Sequence, residues 1–176
     1  FRGCSNLVGT YTDAPDLSGV NTFNNAFRGC SVFTGKVSNW DVSNVTTMSG
    51  IFRSNSLFNS DLTGWDVSNV QRLNSSFQGA TSFNQPIGVW DVGNVETFQL
   101  TFGTSNFDQD LSSWNIVKGA DFASFKTSGN AFSTANYNAI LIGWEATLQA
   151  AYPNGSGYPN LVAGVTAGFG SSIFSG

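Results

Sequence analysis

A tryptophan recurs at Trp40, Trp65, Trp90 and Trp114, at intervals of 25, 25 and 24 residues. A block of sequence returns with it: WDVSNVTTM from Trp40, WDVSNVQRL from Trp65, WDVGNVETF from Trp90 and WNIVKGADF from Trp114. Self-similarity at such a period marks a repeat array, in which one copy stacks on the last. The copy beginning at Trp40 carries Val42, Val45, Met48, Ile51, Phe52, Phe58 and Leu62, and the next matches them with Val67, Val70, Leu73, Phe77, Phe83 and Ile87. Each such side chain contributes roughly 1.5–3 kcal/mol when fully buried. That offsets the ordering entropy only if neighbouring copies cover both sides.

Within a copy the periodicity changes. Trp65 and Val67 alternate with period two, which predicts a short strand. Val45, Met48, Ile51 and Phe52 follow at i, i+3, i+6 and i+7, which predicts a short helical or 3-10 segment with Ser43 or Asn44 as its cap. The expected fold is therefore a solenoid: one short parallel strand and one short helical or 3-10 segment per coil. Upstream, Leu17, Val20, Phe23, Phe27, Phe33 and Val37 form a copy with Pro15 in the tryptophan place.

The run FRGCSVF (27–33), followed by WDVSNVTTMSGIF (40–52), resembles the leucine-rich repeats of BspA-like bacterial surface proteins, in their 25-residue WDVSNVT-type variant. The resemblance covers roughly residues 1–133. It implies a right-handed leucine-rich-repeat-like solenoid, secretion or display at the cell surface, and adhesion to a protein or glycan. The chain departs from the pattern at Pro15 and at Lys118-Gly119, where capping copies are expected.

After Ser133 the pattern ends. Tyr137, Ile140, Leu141, Trp144 and Leu148 predict an amphipathic helix over about 134–150, capped by Thr134 or Asn136, that covers the last copy. The expected organisation is a repeat array over 1–133 and a C-terminal cap over 134–176, with the tail 157–176 unassigned. The chain starts in mid-repeat at Phe1, which reads as a mature product or a piece of something longer.

Composition narrows the chemistry. Only 10% of the 176 residues are charged and the net charge is -4. The basic residues Arg2, Arg28, Lys36, Arg53, Arg72, Lys118 and Lys126 form no run along the chain, so a phosphate-neutralising stripe and a nucleic-acid partner are not expected. No apolar stretch reaches the length of a membrane span. There is no histidine, which excludes His-based triads and His metal sites. Neither a phosphate-binding loop nor a dinucleotide fingerprint occurs. No catalytic residue and no enzyme activity are expected.

Two sets of side chains stand out. Asp16, Asp41, Asp66, Asp91 and Asn115 share one register next to the tryptophan. They read either as Asx-type turn formers that accept backbone N–H groups or as an outward binding ladder, with calcium as a possible cofactor. Cys4 and Cys30, one repeat apart in the twin fragments FRGCSNL and FRGCSVF, read as reduced core thiols in a small-residue slot or as a disulfide. The pair Asp108 and Asp110 reads as turn or edge chemistry. The function expected is a non-enzymatic extracellular adhesion module that binds a protein or glycan; the alternative is a building block that stacks end to end into a filament.

Overall fold

The computed structural model describes residues 1–8, 14–119, 121–127 and 132–154. The tail 157–176 therefore lies outside the described residues. Two helices occur among these: a three-residue 3-10 helix, Ile87–Val89, and α1, Thr134–Ala151. Successive repeats lie against one another, and their parallel pairing is confined to single bridges, Thr22 to Thr47, Thr47 to Arg72, Arg72 to Thr97 and Thr97 to Asp121.

This overturns the expected leucine-rich-repeat-like solenoid. Among the described residues, no strand forms at Trp-x-Val and no helix takes the place of the expected helical segment. The physical reason is where the backbone N–H groups go. At the Trp-Asp-Val segment the chain turns at once: Asp41 accepts from the Ser43 N–H at 3.1 Å, and Val45 N–H donates to the Val42 carbonyl at 2.9 Å. A strand cannot extend through two consecutive turns. The segment read as helical is a run of turns in which alternate amides face alternate ways. Gly50, Phe52 and Ser54 donate to Asn74, Ser76 and Gln78 of the next repeat, while Ile51, Arg53 and Asn55 donate three residues back, to Met48, Gly50 and Phe52. The same alternation serves Asn25 to Cys30 and Ser75 to Ala80.

Two positions per repeat hold the left-handed backbone that this alternation requires, at 25/29, 50/54, 75/79 and 100/104. A regular helix or strand cannot accommodate them. Every third or fourth apolar residue still faces inward, so the pattern mimics a helix although the hydrogen bonds do not. The buried polar demand of the backbone is met without either regular element.

The core is a set of aromatic columns. Phe27, Phe52, Phe77 and Phe102 stack with centroid separations of 5.7, 5.8 and 5.6 Å. Phe33, Phe58, Phe83 and Phe107 stack beside them at 6.0, 5.8 and 5.9 Å. These separations set the advance per repeat. The columns end where Phe125 turns edge-on to Phe102 and Phe132 edge-on to Phe107.

The α1 helix closes that end. Its buried residues are Ile140, Leu141, Trp144 and Leu148, the apolar stripe seen in the sequence. The cap is neither Thr134 nor Asn136 but Ser133, whose side chain accepts from the Asn136 N–H. Trp144 packs on Phe122 and Phe125 at 5.5 and 5.8 Å.

Candidate binding face

The candidate ladder Asp16, Asp41, Asp66, Asp91 and Asn115 is exposed along its whole length. In each rung one side-chain oxygen is engaged two residues on: by the N–H of Ser18, Ser43, Ser68, Gly93 and Val117, at 3.0–3.2 Å. Ser43 and Ser68 add their hydroxyls at 2.6 Å. The hydrogen bond from the serine hydroxyl, then that from its N–H, holds the carboxyls of Asp16, Asp41 and Asp66 below the usual carboxylate range. The charge of Asp41 pushes Asp66 slightly the other way. These are Asx turns, and they account for why like charges tolerate one register.

Asp61, Asp110 and Asp121 are used in the same manner. Asp61 closes a turn on Thr63, and Asp110 on Ser112. Asp108 does something different: its carboxylate accepts from Ser133 N–H, Ser133 Oγ and Asn136 Nδ2 at 2.9, 3.2 and 3.0 Å, at the start of α1. Asn84 and Asn59 hold the same register below it, and each accepts from the backbone one repeat on. Asp108 and Asp110 thus have separate duties and form no acid pair. Among the described residues, no group of three or more acids or cysteines is placed to hold a metal ion.

Cys4 is exposed and Cys30 buried, and both are free thiols. Cys30 Sγ–H donates to the Phe1 carbonyl at 2.9 Å. Its register holds Asn55, Ala80 and Ser105 in later repeats, all buried.

One alignment escaped the reading along the chain. Phe1 stacks on Phe27 at 5.5 Å and Phe27 on Phe52 at 5.7 Å, so Arg2, Arg28 and Arg53, each following one of these rings, occupy one register. A search for basic runs misses residues spaced by a whole repeat. The fragments FRG, FRG and FRS carry the signal, once they are superimposed at the repeat period.

Residues 1–114 match the family described as "Mycoplasma protein of unknown function, DUF285". The chain belongs to this family. The family match spans the repeats that carry the WDVSNV motif, and it carries no leucine-rich-repeat specifics. No curated protein and no solved structure matches the chain. Among the described residues of this DUF285 chain, no helix is long and apolar enough to cross a membrane.

Proposed function

We propose that the chain is a non-enzymatic adhesion module, extracellular or at the cell surface, that binds a protein or glycan through one face of its repeat array. The observation that carries this reading is the register itself. Aromatic columns advancing by 5.6–6.0 Å hold outward side chains of successive repeats in line. A rigid row of equivalent groups suits an extended or repetitive ligand, because little of the binding free energy is lost in ordering the receptor. The resemblance to BspA-like surface repeats points the same way. The described aspartates of the array are engaged in turns and caps, which leaves them poorly suited to acid–base chemistry.

The filament alternative has weaker support. End-to-end stacking needs two open end faces, and α1 covers the last repeat through Ile140, Leu141, Trp144 and Leu148. The test of the module reading is binding of the purified chain to panels of immobilised extracellular proteins and glycans, with sedimentation of the same sample. Saturable binding by a monomer is expected. Concentration-dependent fibres with no binding to either panel would overturn it in favour of the filament.

A further inference from the structure

The charge on this molecule is not evenly spread over its registers. Arg2, Arg28 and Arg53 follow the first three rungs of one phenylalanine column, and the register continues as Gln78 and Gly103, without a carboxylate. Adjacent backbones are joined right beside them: Gly3 N–H donates to the Arg28 carbonyl at 2.7 Å, and Gly29 N–H to the Arg53 carbonyl at 2.8 Å. The three arginines are therefore held about one repeat, roughly 5–6 Å, apart at the backbone, in line with the strand-like spacing of parallel pairing. Arg2 is exposed, and Arg28 and Arg53 are half-buried. Among the described residues no ion pair or side-chain hydrogen bond engages these guanidinium groups.

Two neighbouring registers shape the surface beside them. The next residues are Gly3, Gly29, Ser54 and Gly79, all with positive φ. A Cβ on Gly3 would meet nothing within 4 Å, and one on Gly29 only the Gly3 backbone at 3.7 Å. This strip is bare of long side chains, so an extended ligand can approach the backbone closely. Beyond it runs a row of hydroxyls: Ser56 Oγ–H donates to the Ser31 carbonyl and Thr81 Oγ1–H to the Ser56 carbonyl, each at 3.3 Å, so their oxygens remain free to accept.

We infer that this face, the arginine row with its bare strip and hydroxyl row, binds a linear anionic polysaccharide bearing sulfate or carboxylate groups. The inference rests on the reading of the chain as a binding module and names the ligand class. Guanidinium groups recognise such oxyanions in a planar, two-pronged geometry. An acidic peptide fits less well. The strip's N–H groups at Gly3, Gly29, Ser54 and Gly79 are all spent on the next repeat, so a peptide cannot add as a strand and would have to order itself for side-chain contacts alone. A single-stranded nucleic acid wants a run of exposed aromatic platforms; here Phe1 is exposed, but the rings that follow it in the column, Phe27, Phe52 and Phe77, are in the core.

The test is binding of the full chain to a sulfated glycosaminoglycan, to uncharged dextran and to poly-glutamate, at about 50 and 200 mM salt. Three variants accompany it. Arg2→Gln/Arg28→Gln/Arg53→Gln removes the row. Lys36→Gln/Arg72→Gln/Lys118→Gln removes the same charge elsewhere. Arg2→Lys/Arg28→Lys/Arg53→Lys keeps charge and stem without the planar fork. Melting curves establish that each is folded. The expected result is binding to the sulfated chain only, weakened about tenfold or more by loss of the row, because charge-assisted bonds to the oxyanions are lost. The control triple should lose less than about threefold, the lysine triple should fall between, and higher salt should weaken binding. Equal losses in the two glutamine triples, tighter binding to poly-glutamate, or equal binding to dextran would each overturn the inference. Row-independent binding to a protein or neutral glycan would sink it while leaving the module reading intact; binding to nothing would sink both.

Discussion

Trp144 of α1 donates its indole N–H to the Leu111 carbonyl at 2.8 Å, and in doing so it acts as the tryptophan of a repeat that the chain does not contain. The same bond joins three repeats to the one before: Trp65 to Val37, Trp90 to Leu62 and Trp114 to Ile87, at 2.8, 2.9 and 3.0 Å. A helix thus ends the array by reproducing its most specific contact. Trp144→Phe keeps most of the apolar contact and removes one of two donors to the Leu111 carbonyl, which still accepts from Trp114 N–H at 3.0 Å, at a cost of about 0.5–1.5 kcal/mol. Trp144→Ala adds a cavity and should cost about 3–5 kcal/mol. Urea unfolding followed by circular dichroism separates the two; equal effects would mean that the indole N–H contributes nothing.

The docking of α1 also depends on a residue with no side chain. A Cβ at Gly143 would lie 2.2 Å from the Ser112 carbonyl oxygen. Alanine is about 1 kcal/mol better than glycine in a free helix. Here that gain is outweighed, because the helix must move off Ser112 and loosen Trp144. Gly143→Ala should lower stability by about 1–3 kcal/mol, the range of overpacked cores. A rise in melting temperature would show that α1 does not sit against Ser112.

How much of this was legible in the chain depends on what each pattern encodes. The inward residues of each repeat, Val42, Val45, Met48, Phe52 and Phe58 among them, are the ones the period marks. Burial is set by spacing, and spacing is visible. The local backbone was not legible, because turns with left-handed residues at Asn25, Ser75 and Leu100 give inward residues at the same intervals as a helix does. Asn25 is a residue type that tolerates φ > 0, but nothing in Ser75 or Leu100 announces it. The Asx turns were readable from Asp followed two residues later by Ser. The arginine row was present in the sequence, but only across repeats, where a linear scan does not look.

The thiols offer a direct readout of the N-terminal repeats. Burial, first of all, pushes the Cys30 thiol up, and its Sγ–H is held by the Phe1 carbonyl, whereas Cys4 is exposed. In the native chain a thiol reagent should label one cysteine quickly, and both only after unfolding. No labelling in either state without a reductant would establish the disulfide instead.

Acid should weaken the array through its turns. The carboxyls of Asp16, Asp41, Asp61 and Asp66 are held low by the hydrogen bonds they accept from the residue two places on. At Asp108, burial alone would raise the carboxyl, but Asn136, Ser133 and the charge of Lys126 outweigh it and lower it overall. A group whose folded pKa lies below its unfolded value, about 3.9, supplies stability above that value and loses it as pH falls through the folded one. The melting temperature should be flat from pH 7 to 5 and decline below about pH 4. Asn115 shows that an amide serves in the same turn, accepting from Val117 N–H at 3.2 Å. Asp41→Asn/Asp66→Asn should therefore fold at pH 7 and decline less in acid; an unchanged acid limb would place the effect elsewhere.

Lys126 gives a slope of the same sign at the other end of the scale. It lies in the phenylalanine register, 24 residues after Phe102, while Phe125 turns in to cover that ring. Its ammonium is buried, donating to the Ser105 and Phe107 carbonyls at 2.8 and 2.5 Å, 5.4 Å from the centre of the Phe132 ring. Burial lowers its pKa to about 8, against an opposing pull from Asp108. In the unfolded chain a lysine titrates near about 10.4. Between those values the unfolded state holds a proton that the folded state has released, so stability rises with pH across the window and is lowest below it. The full gain is on the order of 3 kcal/mol. Cys30, whose thiol is raised on folding, contributes the opposite sign there. The comparison is therefore the difference between the parent chain and Lys126→Met, followed by urea unfolding from pH 7 to 10.5. That difference should change in favour of the parent as pH rises. A constant difference would mean that the Lys126 ammonium is solvated, and that the last repeat is not closed around it.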